Sequence, residues 1–168
     1  MHKIGDNVVY GAEGVMTVVD LREVTVGGVS RDYYVLKDYA GKSESETFVP
    51  TDNEMLVSKM RPLLTKQEII NAIKESANLP EAKWERDGKA RMQRFREVID
   101  SGDRAAMIAM IRSIYLARVE RAEQGKKNYL ADENAMRRAE HLLHSEFSAV
   151  LGIPEESVPA FIEENIGK

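Results

Sequence analysis

The sequence predicts an α+β chain: a small N-terminal β-barrel followed by a C-terminal all-α bundle of about five helices. Three observations predict it. Residues 1–62 alternate short β-branched runs with glycine-containing turns. After Arg61-Pro62 the apolar residues recur at helical spacing instead. Finally, 168 residues with 43% hydrophobic content suit one or two small globular domains and exclude global disorder. The expected domains are residues 1–62 and residues 66–168.

In the first domain, Asn7-Val8-Val9-Tyr10 is a short strand and Val15-Met16-Thr17-Val18-Val19, after Gly11 and Gly14, is a second. Val24-Thr25-Val26 meets Gly27-Gly28, a two-residue hairpin signal, and Asp32 to Lys37 is the return strand. Ala40-Gly41-Lys42-Ser43 turns the chain into Glu44 to Pro50, and Leu56-Val57 is expected to close the set. Such short strands with glycine-rich turns predict a strongly bent barrel of SH3 or Tudor type. So small a barrel leaves an exposed edge that can accept a partner's strand.

The helical part opens on Thr65-Lys66-Gln67-Glu68, a capping box, with Ile69, Ile70 and Ile73 on one face. Asn78-Leu79-Pro80 breaks this helix. A second is expected from about Ala82 to Asp100, with Met92, Phe95, Val98 and Ile99 as its apolar stripe. Ser101-Gly102-Asp103 ends it and caps a third, from about Arg104 to Gln124, with Met107, Ile108, Ile111, Ile114, Tyr115, Val119 and Ala122 inward. Gly125 stops that helix, and Lys126 to Leu130 form a basic loop. Asp132 is expected to cap a fourth helix carrying Met136, Ala139, Leu142, Leu143, Phe147, Val150 and Leu151 inward, ending at Gly152. Ser157-Val158-Pro159 starts a short fifth helix with Phe161 and Ile162.

Composition excludes several function classes. No cysteine means no disulfide, thiol catalysis or thiolate metal site, which fits a reducing cytosol. The first residues form no signal-peptide core, and no apolar run approaches a membrane span. There is no P-loop and no GxGxxG after a strand, so neither an enzymatic signature nor a cofactor or small-molecule substrate is indicated. His141 and His144 share one turn, yet without a third ligand they read as a polar helix face rather than a metal site. Glu155-Glu156 and Glu163-Glu164 read as solvated tail charges. The net charge of −4 hides an asymmetry: residues 1–64 carry −3, residues 83–127 carry +5 and residues 128–168 carry −5. A basic centre of this kind can hold a polyanion locally.

Within that centre lies the only tryptophan, Trp84. Arg86, Lys89, Arg91, Arg94 and Arg96 follow it; Arg112, Arg118, Arg121, Lys126 and Lys127 come later. Aromatic stacking on a base with flanking phosphate contacts is one reading of this set. The other is a solvated helix face with Trp84 packed as a staple at a helix start, the more common use of a lone tryptophan. That second reading makes the chain a protein–protein adaptor whose basic face meets an acidic partner.

The order of motifs separates these readings. Lys3-Ile4-Gly5-Asp6-Asn7-Val8-Val9-Tyr10, then Gly14-Val15, Tyr34-Val35-Leu36 and Val49-Pro50, then Trp84 with its basic run and Ser101-Gly102-Asp103, resemble the CarD/CdnL family of bacterial transcription regulators over nearly the whole chain. The first part also resembles the polymerase-interacting module of the transcription-repair coupling factor. The resemblance implies a Tudor-like domain bound to the β-subunit lobe of RNA polymerase, with Arg22, Glu46, Thr47, Phe48, Val49 and Pro50 as the contact region. It implies a helical domain on the minor groove of promoter DNA at the upstream edge of the bubble, with little sequence specificity and no enzymatic activity. Trp84 is then the wedge, with Arg86, Lys89, Arg91, Arg94, Arg118, Lys126 and Lys127 as DNA contacts. It also implies a cytoplasmic bacterial protein, held at the nucleoid through polymerase. Two positions depart from the family pattern. The stretch from Trp84 to Ser101 is longer than in some members, and Phe48 stands where some carry a basic residue, which implies a hydrophobic or backbone contact there.

Overall fold

The computed structural model describes residues 1–80 and 83–167, and the chain divides into two compact units, Met1–Leu63 and Leu64–Lys168. The first is a five-stranded antiparallel sheet: β1 (Asn7–Tyr10), β2 (Gly14–Val26), β3 (Val29–Asp38), β4 (Thr47–Pro50) and β5 (Met60–Pro62), in the order β4-β3-β2-β1-β5. β4 and β5 are not bonded to each other, so the expected barrel is open along that seam. All five strands feed one core of Val8, Met16, Val18, Tyr34, Leu36, Val49 and Met60.

Two details differ from the sequence expectation. The two runs Val15–Val19 and Val24–Val26 are one continuous strand, β2, interrupted only by a register shift between Val18 and Asp20. A bulge of this kind bends a strand without ending it. Leu56 and Val57 do not form the closing strand. They lie in a helical turn, α1 (Glu54–Val57), because the Asn53 side chain accepts a bond from the Leu56 N–H at 3.1 Å and caps it. Met60–Pro62 closes the sheet against β1 instead. At the hairpin tip Gly27 and Gly28 both have positive φ, which is why glycine occupies both turn positions.

The second unit holds α2 (Lys66–Asn78), α3 (Gly88–Ser101), α4 (Arg104–Glu123), α5 (Leu130–Leu151), a 3₁₀ turn (Glu155–Ser157) and α6 (Val158–Asn165). Thr65 and Glu68 form the complete capping box, and the bonds from the Thr65 N–H and hydroxyl hold the Glu68 carboxyl below its ordinary pKa. Ile69 and Ile73 are fully buried on α2. The far end of α2 is also tied down: Arg112 on α4 donates to the Ser76 carbonyl and to Ser76 Oγ, both at 3.3 Å. Glu146, buried on α5, accepts two bonds from Arg104 at 2.8 and 2.7 Å and one from the Leu64 N–H at 3.1 Å. It joins the starts of α2 and α4 to the C-terminal half of α5.

Three helix expectations change. The second helix begins at Gly88, not near Ala82; residues 83–87 are loop, Asp87 caps Lys89, and Ala82 lies outside the described residues. On α4, Tyr115, Val119 and Ala122 face solvent rather than the core, because the helix packs against its neighbours mainly through Ala105, Met107, Ile108, Met110 and Ile114. On α5 the cap position is Tyr129, without a side-chain cap, while Asp132 lies inside the first turn, buried and engaged elsewhere.

Candidate functional site

Trp84 sits on the loop before α3, half-buried, between exposed Lys83 and Arg86. Its ring meets Phe95 at 6.3 Å between centroids, tilted by 54°, and lies 5.0 Å beneath the Arg91 guanidinium. A shallow pocket beside it is lined by Ile114, Ala117, Arg121, Tyr129 and Asp132, so the loop before α3 meets the loop between α4 and α5. Trp84 is therefore neither a core residue nor a free one. The ring packs on α3 through Phe95 and Arg91, and the residue as a whole is half-buried.

Arg91 is the correction among the proposed DNA contacts. It is 4% exposed. Its Nε and Nη2 donate to Asp132 Oδ1 and Oδ2 at 2.8 and 3.1 Å, and its Nη1 donates to the Glu85 carbonyl at 2.9 Å. The cause is helical period: Arg91, Phe95 and Ile99 are four residues apart and form the buried face of α3. A guanidinium so placed cannot reach a phosphate.

The other cations fall into distinct settings. Arg86, Lys89, Arg94, Lys126 and Lys127 are exposed, and none makes a side-chain ion pair among the described residues. At about 100° per residue, Lys89 and Arg96 lie within about 20° of one another on α3, whereas Arg94 is about 140° away from Lys89. Arg94 thus lies on the other flank of α3 from Lys89. Arg118 is half-buried, paired with Glu133 at 3.4 Å and stacked on Tyr115 at 5.3 Å. Arg121 holds the basic loop from below: Nε and Nη2 donate to the Lys127 carbonyl at 3.0 and 2.7 Å, and its guanidinium lies 4.1 Å from the centre of the Tyr129 ring. Arg121 thereby holds both the Lys127 backbone and the Tyr129 ring, and Tyr129 lines the Trp84 pocket. Tyr129 and Asp132 were absent from the sequence-derived set. Tyr129 carried a visible signal, an aromatic beside two lysines; Asp132 did not, since its partner is 41 residues away.

His141 is exposed and His144 half-buried on α5, where burial pushes the His144 pKa down. Among the described residues no three His, Cys, Asp or Glu side chains gather as metal ligands. Among the same residues, no helix is long and apolar enough to cross a membrane.

In the sheet unit, β4 pairs only with β3, which leaves its other side as an edge. Arg22 on β2 donates to Glu46 at 3.1 Å and to Asp20 at 3.0 Å, and its guanidinium lies 5.6 Å from the Phe48 ring centre. The bonds to Glu46 and Asp20 raise the Arg22 pKa. Phe48 is 41% exposed and meets Tyr33 edge-on at 6.0 Å. Arg22, Glu46 and Phe48 thus form one surface cluster beside the edge, with Thr47 half-buried and Val49 turned into the core. Pro50 closes the strand and removes one edge donor.

A family model for the CarD-like/TRCF RID domain matches residues 2–63. No match was found among curated proteins. The matched span ends where the sheet unit ends, so α2 to α6 lie outside it. Over residues 2–63, the N-terminal sheet unit is thus similar to the CarD-like/TRCF RID domain.

Proposed function

We propose that the chain is a non-enzymatic bacterial transcription regulator. Its sheet unit docks on the β-subunit lobe of RNA polymerase, and its helical unit engages promoter DNA at the upstream edge of the bubble and stabilises the open complex. The observation that carries the DNA role is the setting of Trp84: a half-buried aromatic on a loop, near Lys83, Arg86 and Lys89, which are exposed and have no ion-pair partner among the described residues. Minor-groove wedges insert apolar rings between base steps and need no base code, so sequence preference is low. The cations hold phosphates and fix the register. No cofactor or small-molecule substrate enters this reading.

The docking role rests on the RID match and on the β4 edge, where Phe48 and the Arg22–Glu46 pair offer a mixed apolar and charged patch. Docking makes the second contact intramolecular, so weak DNA affinity is sufficient.

A second reading is favoured by one observation: Trp84 already contacts Phe95 and Arg91. In that case the ring is structural and the basic face binds an acidic protein. Capture of the polymerase β lobe by the immobilised chain, followed by binding to duplex–bubble junction DNA over a range of salt, distinguishes the two. The proposal expects capture by the wild type and Trp84→Ala, loss of capture by Phe48→Asp, and a salt slope near −3 if Lys83, Arg86 and Lys89 each meet a phosphate. A chain that captures the lobe but shows no salt-dependent DNA affinity supports the adaptor.

A further inference from the structure

We infer that Arg91 and Asp132 form a positioning clamp that sets how Trp84 is presented, an inference that rests on the wedge reading above. Arg91 works as a hub, and each of its three side-chain nitrogens donates a bond. Its Nε and Nη2 edge grips both carboxylate oxygens of Asp132 on α5. Its Nη1 donates backwards to the Glu85 carbonyl at 2.9 Å and, at 3.5 Å, to the Arg86 carbonyl, the two residues that follow Trp84. The planar guanidinium lies 5.0 Å from the centre of the Trp84 ring and 5.3 Å from that of Tyr129. One side chain therefore fixes both the backbone and the ring of a loop that has no helix or strand of its own. It ties that loop to α5 across 41 residues of sequence.

The chemistry explains why this position is an arginine. A lysine ammonium is a point charge and cannot hold a carboxylate by two parallel bonds, reach a carbonyl with a third donor and sit beside two aromatic rings at once. Burial sharpens the point. Arg91 and Asp132 are 4% and 5% exposed, and a buried ion pair brings little net stability over well-packed apolar groups of the same volume. A pair retained under those conditions has its clearest consequence in geometry: the ring is held partly exposed, ready to insert, without ordering at the moment of contact.

The only tryptophan in the chain is its own reporter. The test uses full-length Arg91→Lys and the double variant Arg91→Met/Asp132→Leu. The second replaces the pair by apolar groups, so a cooperative melt near that of the wild type shows that the unit still folds. In the free proteins the clamp predicts greater acrylamide quenching, a red-shifted emission and lower anisotropy for Trp84 in both variants. With polymerase on a promoter it predicts a shortened open-complex lifetime. It also predicts no further shortening when the double variant is combined with Trp84→Ala, because the pair acts through the ring. Unchanged Trp84 emission and quenching in folded variants overturns the clamp. Additive losses with Trp84→Ala overturn the claim that it acts through Trp84. A Trp84→Ala protein of wild-type lifetime, with the fluorescence of the clamp variants still altered, counts against the wedge reading and leaves the clamp standing.

Discussion

Trp84 is half-buried against Phe95 and Arg91, and Arg91 owes its buried place to its spacing from Phe95 and Ile99 on α3. The energetic consequences differ between these residues. Trp84→Ala removes a ring that is only partly packed, so it should cost about 2 kcal/mol, roughly half the loss for a core aromatic. Asp132→Ala leaves the Arg91 charge buried and unpaired, and should cost about 3–5 kcal/mol in urea or thermal unfolding. Lys126→Ala and Lys127→Ala, at exposed positions, should change stability by less than about 0.5 kcal/mol. They should lower the DNA-binding salt slope by about 0.9 for each lysine that meets a phosphate. His144 provides a pH handle. Burial pushes its folded pKa below the ordinary histidine value, an effect that outweighs the opposing pull of Glu140 and Glu155. The unfolded chain then binds the proton more readily, so stability is full above about pH 6.5 and falls as pH drops from there toward the folded pKa. His144→Gln should flatten that slope between pH 7 and 5.5 in a series of thermal melts.

At the scale of elements, the regular pieces were largely legible in the sequence. The Thr65–Glu68 capping box, the Gly27-Gly28 hairpin and the Ser101-Gly102-Asp103 junction each rest on bonds within a few residues, which local sequence encodes. Thr65→Ala should therefore cost about 1 kcal/mol, readable as a lower midpoint in chemical denaturation. Legibility failed where a distant partner decides. The loop at residues 83–87 replaces a helical turn because Arg91 and the Asp87 cap hold it, and Asp132 serves Arg91 rather than the start of α5. The inward place of Arg91 was readable from its four-residue spacing to Phe95, and was obscured by its charge. The Asn53 cap was an equally local signal for α1, hidden by the apolar look of Leu56-Val57. In the site, the exposed cations were legible as a composition, and the separation of Lys89 from Arg94 follows from their spacing, but the place of Arg86 on the loop was not legible, since it depends on where the helix begins.

For the whole molecule, the net charge conceals the functional layout. A basic centre lies between acidic stretches, and the match to the RID family is confined to the sheet unit. The proposed mechanism needs both units on one chain. Tethering supplies an effective concentration of up to millimolar order, so supplying residues 1–63 and 64–168 as separate polypeptides should abolish the effect on open complexes at micromolar concentrations, with each unit still folded. The central claim is that Trp84 stabilises the open complex from a polymerase-docked position. It is tested most directly by the lifetime of competitor-challenged open complexes formed with wild-type or Trp84→Ala protein, under conditions where both are shown to be polymerase-bound. A stacking contribution of about 1–3 kcal/mol predicts a lifetime shortened by roughly 5- to 150-fold in the variant. Equal lifetimes on several promoters, with docking intact, would contradict it.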